Sequence, residues 1–458
     1  MRLSRLNIYI LLFFLGGCNL VNPGDDIEIF KFTPELINSS VFNVNSNSSF
    51  NQWISPIATE YFEDGVNYLL IGGVNNDGNQ IITRINQETN AAEQKVVYSG
   101  YRADDHNAPA VFITDSNNII VALTGHRDDS KIRIKIFKDW SDVRKVTRSI
   151  KMEEKTTYVQ IQQCNDRIFV FTRSSDFNLK WKFIYSDDGG YNWSKPIVLY
   201  STDVQYYMLF KSILSNESGN NTLNTCIRFI GTDHPTSFNK DQIRAGSIVY
   251  NRNGNTKYEI KYSHGYIDID EISSGDTGLS DTDFFLFYSP IMGNKFRVWD
   301  MVSNGLTTLV LISEFKNDEK DEFKNAKYKI LVNNDDLTSS QFQEISLNGL
   351  SEIGVGQSSY FGGGAFGLIT TDSQNSVKKV PLLYVNNSET NDFEIVRSVF
   401  SFDSMNEDHH SVLKSNNRIF RLPVSVKSSQ NNQWIINSFS TYIDFNSYYG
   451  ATYLVNNN

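Results

Sequence analysis

Four side chains in the first half of the chain have the types and spacing for proton-transfer chemistry. His106, in Asp104-Asp-His-Asn-Ala-Pro-Ala110, and His126, in Thr124-Gly-His126, stand twenty positions apart. Between them lie an apolar run from Ala110, a polar turn at 115–118 and a second apolar run, Ile119-Ile-Val-Ala-Leu123. Two strands joined by a short loop bring their far ends to one rim. Two imidazoles meeting there would form an acid/base pair. The spacing alone suits two loop histidines that never touch just as well. Tyr158 and Arg173 repeat the geometry one hairpin later: Tyr158 precedes a strand, and Arg173 ends the next, Ile168-Phe-Val-Phe-Thr-Arg173. Singly, such residues are core edge and surface. Their interest is that each pair sits at equivalent places in adjacent hairpins.

The elements that must position these groups are strands. Short apolar runs recur throughout, among them Asn67-Tyr-Leu-Leu-Ile-Gly72, Ile132-Arg-Ile-Lys-Ile-Phe137 and Thr307-Thr-Leu-Val-Leu-Ile312, separated by Asn/Asp/Gly/Ser turns. No long segment keeps a helical period. Aromatic residues make up 13% of the chain, and in short runs they favour strands. An all-β sandwich, barrel or propeller follows. Length selects the propeller, because four-stranded blades with loops take about 60 residues, and six or seven of them fill the chain.

One local motif supports a propeller. Ser186-Asp-Asp-Gly-Gly-Tyr-Asn-Trp193 fits the Asp-box pattern, with Asn192 in the usual Thr place. Asp188 can bond backbone amides across the turn, Gly190 can take positive φ, and Trp193 can plug the blade. It is read as a hairpin staple with no catalytic part.

The N-terminus reads as a targeting segment. Arg2 and Arg5 precede the apolar run Leu6–Leu15, which is too short to span a bilayer, and Leu15-Gly-Gly-Cys18 resembles a lipobox. The expected division is a lipoprotein signal peptide at 1–17, lipidated Cys18 with a flexible tether to residue 40, and a single propeller domain at 41–458. The protein would then be exported and held at the outer membrane or cell surface, as a monomer. The remaining cysteines, Cys164 and Cys226, are either one bridge or two buried thiols. The net charge of −10 argues against a nucleic-acid partner and means that an anionic ligand needs a local basic site.

The run "DDHNAPA…TGH", then "TYVQIQ…IFVFTR", "YSDDGGYNWSKP" and "GTDHP" resembles the BNR-repeat propeller family that includes the ulvan lyases, from about Trp53 to Tyr250. Val298-Trp-Asp300 and Tyr360-Phe-Gly-Gly363 are similar to it more loosely. The resemblance implies a seven-bladed propeller that cleaves a rhamnose–uronate polysaccharide by β-elimination, with an acidic polysaccharide as partner. It implies His106, His126, Tyr158 and Arg173 as the catalytic set. Arg173 matches a carboxylate bidentately and so neutralises the enediolate charge. Tyr158 and His106 would move the protons, and His126 would help hold the carboxylate. A Tyr158 base would need its pKa lowered by Arg173. The resemblance also brings in Asn107, Tyr207 and His234 as substrate-binding residues.

No cofactor is required for that chemistry. A structural zinc or calcium ion is a further expectation, with Cys226 and His234 as candidate ligands, although their spacing is no recognised zinc pattern. His409-His410 is a weaker metal candidate, and His264 reads as a turn residue. Two other functions compete. A sialidase-type hydrolase would draw carboxylates from Asp104, Asp105 and Asp128, but the arginine-led signature of those enzymes is missing. A non-catalytic glycan-binding lipoprotein would have no use for the four-residue constellation.

Overall fold

The computed structural model describes side chains across most of 53–337 and, elsewhere, the backbone of the strands named below; 1–33 and various loops lie outside it. Strands β1 (Pro34–Ile37) and β2 (Ser39–Asn45) come first. One antiparallel sheet follows in chain order: β3 (Ala58–Glu63), β4 (Val66–Val74), β5 (Gln80–Asn86) and β6 (Ala92–Tyr98). The next holds β7 (Ala110–Ile113), β8 (Ile119–Leu123), β9 (Lys131–Phe137) and β10 (Arg148–Lys151). The third holds β11 (Thr156–Cys164), β12 (Arg167–Ser174), β13 (Leu179–Ser186) and β14 (Ile197–Thr202). In the fourth, β15 (Tyr206–Ser212), β16 (Leu223–Asp233), β17 (Ile243–Asn251), β18 (Tyr258–Tyr262) and β19 (Gly265–Asp268) run in order, with β20 (Phe285–Tyr288) on β17. The fifth is β21 (Asn294–Ser303), β22 (Thr308–Lys316), β23 (Lys327–Asn333) and β24 (Gln343–Ser346).

Two more sheets join the ends of the chain. Strands β25 (Ser358–Tyr360), β29 (Ser425–Lys427), β30 (Gln433–Asp444) and β31 (Ser447–Asn457) receive β2 beside β31. Strands β26 (Gly367–Ile369), β27 (Lys379–Asn387) and β28 (Phe393–Ser401) receive β1, parallel to β28. Pairing of the first strands with the last closes a propeller-like ring of sheets and leaves only short strand edges. Strand β1 pairs with β28 from Pro34, within the stretch to residue 40 that the sequence reads as a tether.

The architecture is all-β and propeller-like. The first strands of successive sheets lie side by side, β3 against β7, β7 against β11, β11 against β15 and β15 against β21. Where a sheet is covered on both faces its middle strand can be continuously apolar, as in β8, all five of whose residues are buried. Strand β9 instead alternates Ile132, Ile134 and Ile136 with Arg133 and Lys135. Phe169, Phe171, Phe183, Phe210 and Phe229 belong to one cluster across the third and fourth sheets. Burial of each such ring contributes roughly 1.5–3 kcal/mol.

The Asp-box turn staples β13 to β14. The Asp188 carboxylate accepts from the Asn192 amide N–H at 2.8 Å, the Asn192 side chain at 2.6 Å and the Ser186 hydroxyl at 2.8 Å. The Trp193 indole donates to the Gly190 carbonyl at 2.6 Å. Gly190 has φ +96°, a conformation that favours glycine, and a Cβ there would have to displace the Ile120 Cδ1 at 2.8 Å.

Candidate active site

Asp104 closes a short turn before β7, where its carboxylate accepts from the His106 backbone N–H at 3.0 Å. That turn and the loop after β8 meet at one rim, and His106 and His126 stack there with ring centroids 4.1 Å apart and planes 13° from parallel. Asp104 bridges them, one oxygen to each Nδ1, at 2.6 Å to His106 and 2.7 Å to His126. Asn107 completes the clip. Its side-chain carbonyl accepts from the His126 backbone N–H, and its amide donates to the Arg102 carbonyl at 2.9 Å.

The third sheet contributes Tyr158 and Arg173. The β11–β12 ladder runs Thr157↔Arg173 and then Val159↔Thr172, so Tyr158 is the extra residue of a β-bulge. Its φ of +55° is a left-handed conformation that a bulky residue seldom adopts. The bulge turns the phenol toward the rim, 5.2 Å from His106. Strain of this kind collects at functional sites.

Tyr207 comes from β15 in the fourth sheet. Its ring stacks on Trp53 at 4.5 Å, and its hydroxyl accepts from Tyr158 Oη at 3.4 Å. The side chains that fix this approach alternate along β11. Period-two geometry puts Gln160, Gln162 and Cys164 on one face. The Gln160 amide bonds the Met208 carbonyl at 2.8 Å and the Phe210 N–H at 2.9 Å. Gln162 accepts from the Ser212 N–H at 2.7 Å, and Cys164 is disulfide-bonded to Cys226.

Arg173 lies over both phenols, its Cζ 4.7 Å from the Tyr158 ring and 4.9 Å from the Tyr207 ring. It is 2% exposed, and its Nε and Nη1 have no hydrogen-bond partner among the described residues. A buried charge costs several kcal/mol unless paired. Two cation–π contacts at about 2 kcal/mol each offset only part of that. The group is therefore built to receive an anion, and its planar fork suits a carboxylate.

Electrostatics separate the roles. Burial alone would raise the Asp104 carboxyl, but the hydrogen bonds from His106 and His126 outweigh it and hold it far below the ordinary carboxylate range. Burial also opposes ionisation of Tyr207. The Arg173 guanidinium, the hydrogen bond from Tyr158 and the Arg297 charge overcome it, and Tyr207 is lowered from the ordinary value of 10.0. Tyr207 thus joins Tyr158, to which the sequence pointed, in a hydrogen-bonded phenol pair beside the Arg173 charge.

The structure brings His106, His126, Tyr158, Arg173 and Tyr207 together across three consecutive sheets. Two expectations change. Asn107 is fully buried and its amide is taken up by protein atoms, so it positions His126 instead of touching substrate. Cys226 is no metal ligand, because its sulfur is bonded to Cys164. His126 has its Nδ1 on Asp104, so the expected hold on a substrate carboxylate would fall to its Nε2. His234, Cys18 and His409-His410 lie outside the described residues. His264 is exposed in the β18–β19 turn, where its Nδ1 lies 3.0 Å from the Ser263 hydroxyl.

Sequence reasoning missed Asp104 as the bridge and Trp53 as the platform under Tyr207. The first was visible as a carboxylate two residues before His106; nothing local marked the second. Among the described residues, Asp104, His106 and His126 are a group whose donor atoms, all within 4.8 Å of one another, could hold a metal ion. The two imidazole–carboxylate hydrogen bonds engage those atoms with each other.

No family model and no curated protein matches the chain. Solved structures do. An ulvan lyase of polysaccharide lyase family PL25 aligns over 93% of this chain and 96% of its own, with a TM-score of 0.53 and 11% identity. The same kind of enzyme bound to -[GlcA(1-4)Rha3S]- aligns over 92% and 95%, with a TM-score of 0.54 and 11% identity. A GH62 α-L-arabinofuranosidase catalytic domain from Coprinopsis cinerea reaches only a TM-score of 0.31 over 66% of this chain, at 8% identity. At these identities the first two likenesses show the fold, a propeller-like one shared with a polysaccharide lyase.

Proposed function

We propose that the protein is a polysaccharide lyase that cleaves a uronate-containing, ulvan-like polysaccharide by β-elimination. The observation that carries the reading is Arg173: a buried guanidinium with no carboxylate partner among the described residues, set over two phenols. Elimination at a uronic acid needs such a cation, because removing the C5 proton drives charge onto the carboxylate.

The phenolate shared by Tyr158 and Tyr207 takes the C5 proton. The C5–H electron pair forms the C4=C5 double bond, the C4–O4 bond breaks, and the imidazole pair gives a proton to the leaving O4. One turnover leaves the tyrosine pair with one proton more and the histidine pair with one fewer. The reset moves that proton from Tyr158 toward His106, whose rings are neighbours at 5.2 Å. Neutralisation by Arg173 means that the chemistry calls for no metal.

The finer reading of the fold takes the seven sheets as seven blades. The reading of location keeps Cys18 as a lipid anchor on an exported protein. The Cys164–Cys226 bridge supports export, since such bonds persist in oxidising compartments.

The test is incubation with ulvan, followed by the ultraviolet absorbance of the unsaturated uronate. A rise with time that Arg173→Ala abolishes is expected. No rise on any uronate polysaccharide would overturn the reading.

A further inference from the structure

Asp104 is almost wholly buried beneath two imidazoles and presents one oxygen to each. A carboxylate held ionised can only accept hydrogen bonds, so both Nδ1 atoms must donate. We propose that Asp104 is a positioning residue that locks His106 and His126 in the same Nδ1–H tautomer and makes the stacked pair carry one exchangeable proton at its Nε2 edges.

The proposal rests on the lyase reading for its purpose and on geometry for its substance. With both Nδ1 atoms protonated, each neutral ring has its Nε2 as the basic atom. A first proton on either Nε2 gives an imidazolium beside anionic Asp104, and the triad is neutral overall. A second would place two cationic rings face to face at 4.1 Å with one carboxylate between them. The stacked pair therefore takes up a first proton more readily than a second, and that first proton is the acid for O4.

The neighbouring charges do not undo this. Arg102 donates to the His126 carbonyl and pairs with Asp128 at 3.3 Å, so those two charges largely cancel. On the other side stand Tyr158, Tyr207 and the Arg173 guanidinium, which discourages a second positive charge. Tyr101, packed near Gly125, engages Arg133 and Asp129.

The experiment pairs nitrogen-15 NMR of the imidazoles, without substrate, with kinetics of Asp104→Asn. Wild-type protein should show both rings as Nδ1–H, with the two rings taking up protons in two separated steps. In Asp104→Asn the side-chain carbonyl still accepts from one ring, but the NH2 donates to the other Nδ1 and forces that ring to Nε2–H. The variant should fold, lose roughly 10²–10⁴-fold in kcat by the wrong-tautomer effect, and keep KM within a few-fold.

An Nε2–H tautomer on either wild-type ring overturns the proposal without any variant. So does an unchanged kcat with an unchanged pH profile in Asp104→Asn. If wild type cleaves no uronate polysaccharide but the tautomers are as stated, the lyase reading fails and the positioning role stands. If wild type cleaves and the tautomers differ, the reverse holds.

Discussion

The Tyr158 hydroxyl donates to the Tyr207 hydroxyl across 3.4 Å, and Arg173 lies over both rings. Tyr207 is the partner lowered from 10.0, with burial opposing the shift and Arg173, Tyr158 and Arg297 producing it. The reaction rate should therefore rise with pH through an ionisation below the ordinary tyrosine value. Removing the hydrogen bond with Tyr158→Phe takes away a stabiliser of the phenolate and moves that limb to higher pH, besides lowering kcat. Rate–pH profiles of wild type, Tyr158→Phe and Tyr207→Phe check this. A limb that stays in place in both variants would assign the ionisation elsewhere.

Arg173 separates function from stability. Loss of the group that neutralises the developing charge should cost roughly 10²–10³-fold in kcat. Its charge is buried and lacks a carboxylate partner among the described residues, so Arg173→Met, similar in length and apolar, removes a desolvation cost. The variant should be inactive yet melt at or above the wild-type temperature. A lower melting temperature would mean that the guanidinium is structural.

Much of the site was legible because hairpins impose their own arithmetic. His106 and His126 had to reach one rim if β7 and β8 paired, and they do, since Ala110↔Ala122 is in register. The Asp box could be read because its turn is local, every bond falling within a few residues. Tyr207 could be placed only loosely. Its role depends on the spacing of β11 and β15, which the side chains of Gln160 and Gln162 set, and a glutamine in a strand carries no such label. The bulge at Tyr158 was invisible for a related reason: which residue goes unpaired is decided by the register of β11 on β12. Asn107 misled because a polar residue beside a histidine looks the same in sequence whether it faces a ligand or clips a loop.

Asp188 supplies a control outside the active rim. Its pKa is lowered from 3.8: burial is the largest single influence and pushes it up, but the hydrogen bonds from Asn192, Ser186 and the Tyr191 backbone together outweigh it. A depressed carboxyl contributes stability above its unfolded value and loses it as pH falls through the folded value. Asp188→Ala should lower stability by about 1 kcal/mol at neutral pH, with kcat unchanged. The gap to wild type should close as the pH drops below the usual carboxylate range. Thermal melts of both proteins across that range test the sign.

The disulfide and the glutamine beside it should fail in different ways. Cys164 and Cys226 are 62 residues apart, and closing a loop of that length restricts the unfolded chain by up to about 4 kcal/mol. The double variant Cys164→Ser, Cys226→Ser should be less stable by that order. Its phenols stay aligned, because Gln160 still ties β11 to Met208 and Phe210, so kcat should remain within a few-fold of wild type. Gln160→Leu strands a buried carbonyl and a buried N–H, at about 1–3 kcal/mol each. It also frees Tyr158 to shift against Tyr207, so kcat should fall by well over the loss in folded fraction. Chemical denaturation and initial rates on the same preparations distinguish the two. Equal kinetic losses in both variants would show that the bridge, and not the glutamine, sets the distance between the phenols.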